Sequence, residues 1–249
     1  KISLKENEVP IIDEKVEEIF DDSVDDYREK ERAKSRWAQL EAVVGAEPRI
    51  KQITEDLIKH FDIRTKTQPG KAMIVCMSRE ICVKFYEALR NLRPELHDDD
   101  LSKGQMKIVM SASASDPKEF QPHNINRFQK KNLENRFKDP SDLLKIVIVR
   151  DMWLTGFDAP CLTTMYVDKP MQGANLAQAI ARVNRVFGDK PGGLVVDYIG
   201  IAPQLKEALA TYANSNGRGQ PTINTDEALK ILQEKLKVAE DLLHPVDSS

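Results

Sequence analysis

Apolar residues follow two rhythms along this chain. Five short runs are almost continuously apolar: Ala72 to Met77, Lys107 to Ala112, Lys145 to Val149, Thr164 to Asp168 and Leu194 to Tyr198. Runs of that length without polar alternation predict strands covered on both faces, the condition of a parallel sheet. Elsewhere the spacing turns helical. Ser78 to Leu92 sets Ile81, Phe85, Leu89 and Leu92 on one stripe, with Ser78 placed to cap the first turn. From Ala33 to Phe61 the apolar positions Trp37, Leu40, Val44, Ile50, Ile53, Leu57, Ile58 and Phe61 recur near helical spacing, and Pro48 divides the stretch into two helices. Strand runs alternating with helical stripes predict an α/β fold, a parallel sheet with helices on both faces and helical extensions at either end.

The ends read differently. Residues 1–26 carry ten acidic side chains against three lysines, a density that favours extended chain. After a stretch rich in Asn, Ser and Gly from Asn214 to Gln220, Thr225 or Asp226 can cap a last helix whose Leu229, Leu232, Leu236 and Leu243 need a partner surface. The expected division is an acidic, partly extended leader over 1–33, a helical linker over 34–65, the α/β domain over 66–202 and a helical extension over 203–249.

Composition narrows the function classes. No apolar run approaches the roughly 20 residues of a bilayer-spanning helix, so a soluble, non-membrane protein is expected. With 37 Lys and Arg against 40 Asp and Glu, the net charge of -3 does not advertise nucleic-acid binding, and any basic surface must be local. Cys76, Cys82 and Cys161 form no C-x-x-C pair, which argues against a disulfide framework or a cysteine zinc site and fits a reducing cytoplasm. The start at Lys1, without an initiator Met or a secretory signal, suggests an excised fragment.

Ligands of open parallel sheets bind beyond the carboxyl ends of the strands. Two segments there carry candidate chemistry. In Arg150-Asp151-Met152-Trp153-Leu154-Thr155-Gly156-Phe157-Asp158-Ala159-Pro160, Thr155 offers a hydroxyl, Gly156 a close backbone approach and Asp158 a carboxylate; the same residue types also make an ordinary turn. In the helix from Ala174 to Phe187, Gln178, Arg182 and Arg185 share one narrow stripe opposite Leu176, Ile180, Val183 and Phe187. No acid stands between Lys169 and Asp189 to pair the two guanidiniums locally, and guanidinium forks suit phosphate oxygens; a solvated helix face is the alternative. His123 to Lys138, with Arg127, Lys130, Lys131, Arg136 and Lys138 against Glu134 alone, is the strongest local basic patch, with a solvated helix again the plain alternative.

Together these residues resemble a known family. Thr155-Gly156-x-Asp158 and Gln178-x-x-x-Arg182-x-x-Arg185 are similar to motifs V and VI in the second RecA-like domain of superfamily 2 helicases. Asp151-Met152-x-Leu154-Thr155-Gly156-Phe157-Asp158-Ala159-Pro160 and Ala181-Arg182-Val183-Asn184-Arg185 resemble, more narrowly, the restriction (R, HsdR) subunit of type I restriction-modification enzymes. Lys34 to Ala46 resembles the segment joining the two motor domains there, and Lys71 to Arg79 resembles motif IV. The resemblance runs from about Lys34 to Gly200. It departs from the wider pattern at Ala181, where Gly is commoner, and at Arg150, where an apolar residue is usual.

The resemblance implies that residues 66–202 form a RecA-like helicase C-terminal domain. Arg185 would be an arginine finger toward ATP, with its Mg2+, held mainly on an upstream RecA-like domain, and Arg182 would stand beside it. Gly156 and Asp158 would meet the nucleotide ribose, and Gln178 would set the arginines. Ser78, Arg79 and Thr155 would touch the backbone of double-stranded DNA. The implied partners are that duplex, the upstream motor and nuclease domains of the same polypeptide, and the methyltransferase and specificity subunits of the restriction complex.

Other signals are missing. No G-x-x-x-x-G-K-[ST] loop occurs, since Gly70-Lys71 has Thr65 where the first Gly should stand and Ala72 where the hydroxyl should. Ile11-Ile12-Asp13-Glu14 mimics an acidic ATPase box without a phosphate loop, and nothing matches the family's nuclease centre. By itself this chain is therefore expected neither to hydrolyse ATP nor to cut DNA. His97-Asp98-Asp99-Asp100 is oxygen-rich but sits in an expected loop, and no metal role is assigned to it. Two other readings stay open: a non-catalytic DNA-binding or subunit-docking module, and an unrelated small-molecule enzyme on a flavodoxin-like sheet.

Overall fold

The computed structural model describes residues 27–113, 115–154, 156–184, 192–201 and 204, with side chains from residue 34 onward except at Ala174. Two long helices come first, α1 (Tyr27–Val44) and α2 (Glu47–Thr67), with Pro48 in the opening turn of α2, where a missing N–H costs nothing. α1 starts inside the segment expected as leader. β1 (Lys71–Cys76), α3 (Arg79–Leu92), β2 (Met106–Val109), α4 (Arg127–Lys138), β3 (Ile146–Val149), β4 (Leu162–Asp168), α5 (Gly173–Val183) and β5 (Leu194–Asp197) follow. The acidic stretch 1–26 and the expected terminal helix lie outside the described residues.

All five strands run parallel in the order β2-β3-β1-β4-β5, with Ala72 opposite Ile146 and Met73 opposite Met165 at the centre. This is the α/β sheet the apolar runs predict, and it is consistent with a RecA-like fold. Right-handed crossovers in that order place α3 on one face, and α4, the 150–161 connection and α5 on the other. α2 packs on α3, and α5 lies against β4 and β5. The core is continuous through both layers, from Leu40 and Leu57 through Ile74 and Ile148 to Phe137 and Leu176. β1 to β4 are buried at every position, including β2 at one edge of the described sheet, whereas β5 at the other edge is only half-buried along its length.

A polar seam crosses this apolar frame where α2 lies over β4 and β5. Arg49, 4% exposed, forks onto Asp168, 1% exposed, at 3.0 and 2.6 Å, and also donates to the carbonyls of Val44 at 2.9 Å and Tyr198 at 3.0 Å. Farther along α2, Asp56 accepts from the Tyr198 hydroxyl at 2.7 Å, His60 Nδ1 meets the Tyr166 hydroxyl at 2.8 Å, and Arg64 Nε donates to Thr164 Oγ1 at 3.0 Å. One guanidinium thus joins the end of α1, the end of β4 and the segment after β5.

Candidate functional site

The 150–161 connection leaves the carboxyl end of β3 and reaches the start of β4. Aromatic burial pins it from beneath: Trp153 and Phe157 stack with ring centres 4.4 Å apart and planes 3° from parallel, and Phe137 of α4 lies 5.8 and 6.1 Å from them. Two residues turn left-handed to allow this, Trp153 at φ 68° and Gly156 at φ 65°. Only glycine adopts that conformation without strain, and at Gly156 a Cβ would meet nothing within 4 Å, so backbone geometry and not crowding accounts for the residue. At its start the connection is held by ion pairs. Arg150 Nη1 lies 2.9 Å from Asp151, and Lys169, just past β4, bonds the same carboxylate and the Arg150 carbonyl.

α5 buries Leu176, Ile180 and Val183 of the face its spacing predicts, together with Ala179, and turns Gln178 to solvent; Phe187 lies outside the described residues. One turn on, Arg182 is half-buried, and its guanidinium donates to the carbonyls of Leu154, at 3.4 Å, and Phe157. The two separate sequence segments therefore meet through a side chain that grips the other's backbone. Gly156 is exposed and Asp158 half-buried in that gripped stretch. Thr155 and Arg185 lie outside the described residues.

Ser78 and Arg79 occupy the carboxyl end of β1. Ser78 accepts from the Ile81 N–H at 3.2 Å as the predicted cap of α3. Arg79 is already engaged: it pairs with Asp116 and lies 5.1 Å over the ring of Phe120. The hydrogen bond from Arg79 holds the Asp116 carboxyl below its usual range. The Arg150 guanidinium reaches the Met77 carbonyl at 3.5 Å, joining this end of β1 to the connection.

The other sequence signals divide. Arg136 turns inward to the carbonyls of Leu101, Lys103 and Gly104 and pairs with Asp142 at 3.0 Å, so it is structural. His97 Nδ1 lies 2.7 Å from the Tyr86 hydroxyl, while the Asp98 and Asp100 carboxylates receive the local N–H groups of Asp100 and Ser102, turn chemistry in each case. Sequence reasoning missed Arg49 and Lys71. The Lys71 amine is buried beneath the connection, donates to the Arg136 carbonyl at 2.7 Å and lies 5.5 Å from the Phe137 ring centre. Desolvation lowers its pKa to about 8.

Comparison with known proteins agrees with the segments that carry this geometry. Residues 117–200 match the family model described as type I restriction enzyme subunit R domain 3. The chain is 50% identical over 200 residues to the type I restriction enzyme HindI endonuclease subunit of Haemophilus influenzae, an alignment covering 79% of this chain and 19% of that one. It is 43% identical over 227 residues to a protein provisionally named the type I restriction enzyme MjaIXP endonuclease subunit of Methanocaldococcus jannaschii, covering 91% and 20%. A solved fragment provisionally assigned as an HsdR subunit of a type I restriction enzyme from Vibrio vulnificus superposes with a TM-score of 0.48 at 20% identity, over 71% of this chain and 32% of that one. The chain thus spans about a fifth of the length of the curated relatives it matches. At 50% and 43% identity over 79% and 91% of its length, and with residues 117–200 matching the subunit R model, this chain belongs to the family of type I restriction enzyme R subunits.

Proposed function

We propose that this chain acts as the second motor domain of an ATP-dependent double-stranded DNA translocase within a type I restriction enzyme, supplying arginines to a nucleotide held mainly, with Mg2+, by an upstream RecA-like domain. The observation that carries the reading is the grip of Arg182 on the Leu154 and Phe157 carbonyls, which docks the arginine-bearing helix on the segment holding Gly156 and Asp158. A donor committed to backbone positions its neighbours, so Arg182 is a positioning residue and Arg185 the finger. The residues suit a ribose and phosphate edge: Gln178 offers an exposed amide, and Gly156 presents open backbone. Ser78 and Arg79 at the end of β1, with Thr155, would meet the DNA backbone, contacts that position without reading sequence. The relatives' name adds an endonuclease within the same assembly, and the methyltransferase and specificity subunits would be its further partners.

The test is DNA-stimulated ATP hydrolysis by the longer polypeptide that joins this chain to its upstream motor domain, comparing wild type with Arg185→Ala at equal fold stability. The finger role predicts a fall of about 10³-fold with ATP still bound. An unchanged rate would overturn it and favour a docking module in which the arginines meet DNA or protein carboxylates.

A further inference from the structure

The exposed face of α4 belongs to none of the chemistry above. Leu133 and Phe137, 1% and 0% exposed, fix the rotation of the helix against the sheet. At 100° per residue that turns Arg127, Phe128, Lys131, Asn132 and Asn135 outward, and all five are exposed, Phe128 to 74%. Arg127 has no ion-pair partner among the described residues. Lys131 and Lys138 share a single carboxylate, Glu134, at 3.0 and 2.6 Å. In a chain of net charge -3, this strip carries three cations against one acid. It also sets a cation and a bare aromatic ring in a first turn that holds no acid, where the helix dipole favours one.

The strip has a defined place. Parallel strands bring their carboxyl ends to one edge, so the connection from Val109 of β2 to α4 starts on the same edge as the end of β1, one strand away, and its Asp116 and Phe120 reach across to hold Arg79. We infer that the outward face of α4, Arg127, Phe128, Lys131, Asn132 and Asn135, is a second contact surface for the sugar-phosphate backbone of duplex DNA, continuing the one expected at Ser78 and Arg79. The inference rests on the DNA reading proposed above. Cations and amides bond phosphate oxygens, and the Phe128 ring lies against deoxyribose, so the surface adds affinity without sequence preference.

The experiment is fluorescence anisotropy of a labelled mixed-sequence duplex titrated with this chain across a salt series. The variants are Arg127→Ala/Lys131→Ala, Phe128→Ala, Arg79→Gln and, as a charge-matched control on the opposite face, Lys59→Ala/Lys66→Ala. All but Arg79→Gln change only exposed side chains, so the fold is kept. The α4 double variant should weaken binding by about tenfold or more at low salt and reduce the salt slope by about 2, one for each cation removed. Phe128→Ala should weaken binding by about fivefold with the slope unchanged. If Arg79→Gln weakens binding while the α4 double variant matches the Lys59/Lys66 control, the α4 surface is overturned and the DNA reading stands. No salt-dependent binding by wild type overturns both.

Discussion

Two guanidinium sites, one buried and one half-buried, hold this molecule in opposite ways. On the α2 face Arg49 meets a carboxylate, Asp168, in a two-pronged pair shielded from water. On the α5 face Arg182 meets only backbone carbonyls of the 150–161 connection among the described residues, and below it Lys71 rests on a carbonyl and an aromatic ring. A carboxylate partner supplies a full opposite charge in low dielectric, whereas carbonyls and ring faces supply dipoles. The first arrangement fixes a joint. The second positions a loop and, among the described residues, leaves Arg182 without a carboxylate partner, as the phosphate role proposed above requires.

Removing one side of the seam is the most direct way to break the contrast. Arg49→Met strands a buried carboxylate and should cost about 3–5 kcal/mol, read as a lower urea midpoint. Arg49→Met/Asp168→Leu should recover most of that loss, and if the double variant is as unstable as the single one, the seam is not an electrostatic joint. Lys71 sharpens the other side. Below pH 8 it is protonated in both states and bears the full burial penalty. As pH climbs from about 8 toward 10.5, the folded state gives up its proton first, so stability rises. The difference in unfolding free energy between wild type and Lys71→Met should shift toward wild type by on the order of 2 kcal/mol across that window, and a flat difference would defeat the idea. The smallest effect belongs to Arg182→Met. Losing two bonds to carbonyls should cost about 1–2 kcal/mol and speed hydrogen exchange at the amides of 153–158, leaving β1 and β3 as protected as before.

Much of the frame was legible in the sequence because it depends on local pattern. The five runs became the five strands, Ser78 caps α3, and the apolar stripe of α5 faces the sheet, since burial on a parallel sheet imposes apolar residues continuously. What escaped were long-range partnerships. Arg49 and Asp168 stand 119 positions apart, and neither residue's neighbours name its partner. Two oddities pointed to them: a cation in the first turns of α2, where the helix dipole disfavours it, and an acid ending the apolar β4 run. Lys71 was hidden in the same way, opening a strand that is buried throughout. The basic stretch around α4 was legible as a charge run, but only the fold shows that Arg136 turns inward while Arg127 and Phe128 turn out.

The break between α1 and α2 is two residues long, Gly45 and Ala46, and it is not a hinge. Lys84 holds the Gly45 carbonyl at 3.2 Å, Arg49 holds that of Val44, and a Cβ at Gly45 would come within 3.1 Å of Ile81. The last turns of α1 are therefore part of the domain: Leu40 and Val44 sit in its core, and the bend is tied through Arg49 to Asp168 at the end of β4 and to the Tyr198 carbonyl just after β5, so displacing α1 means breaking those contacts.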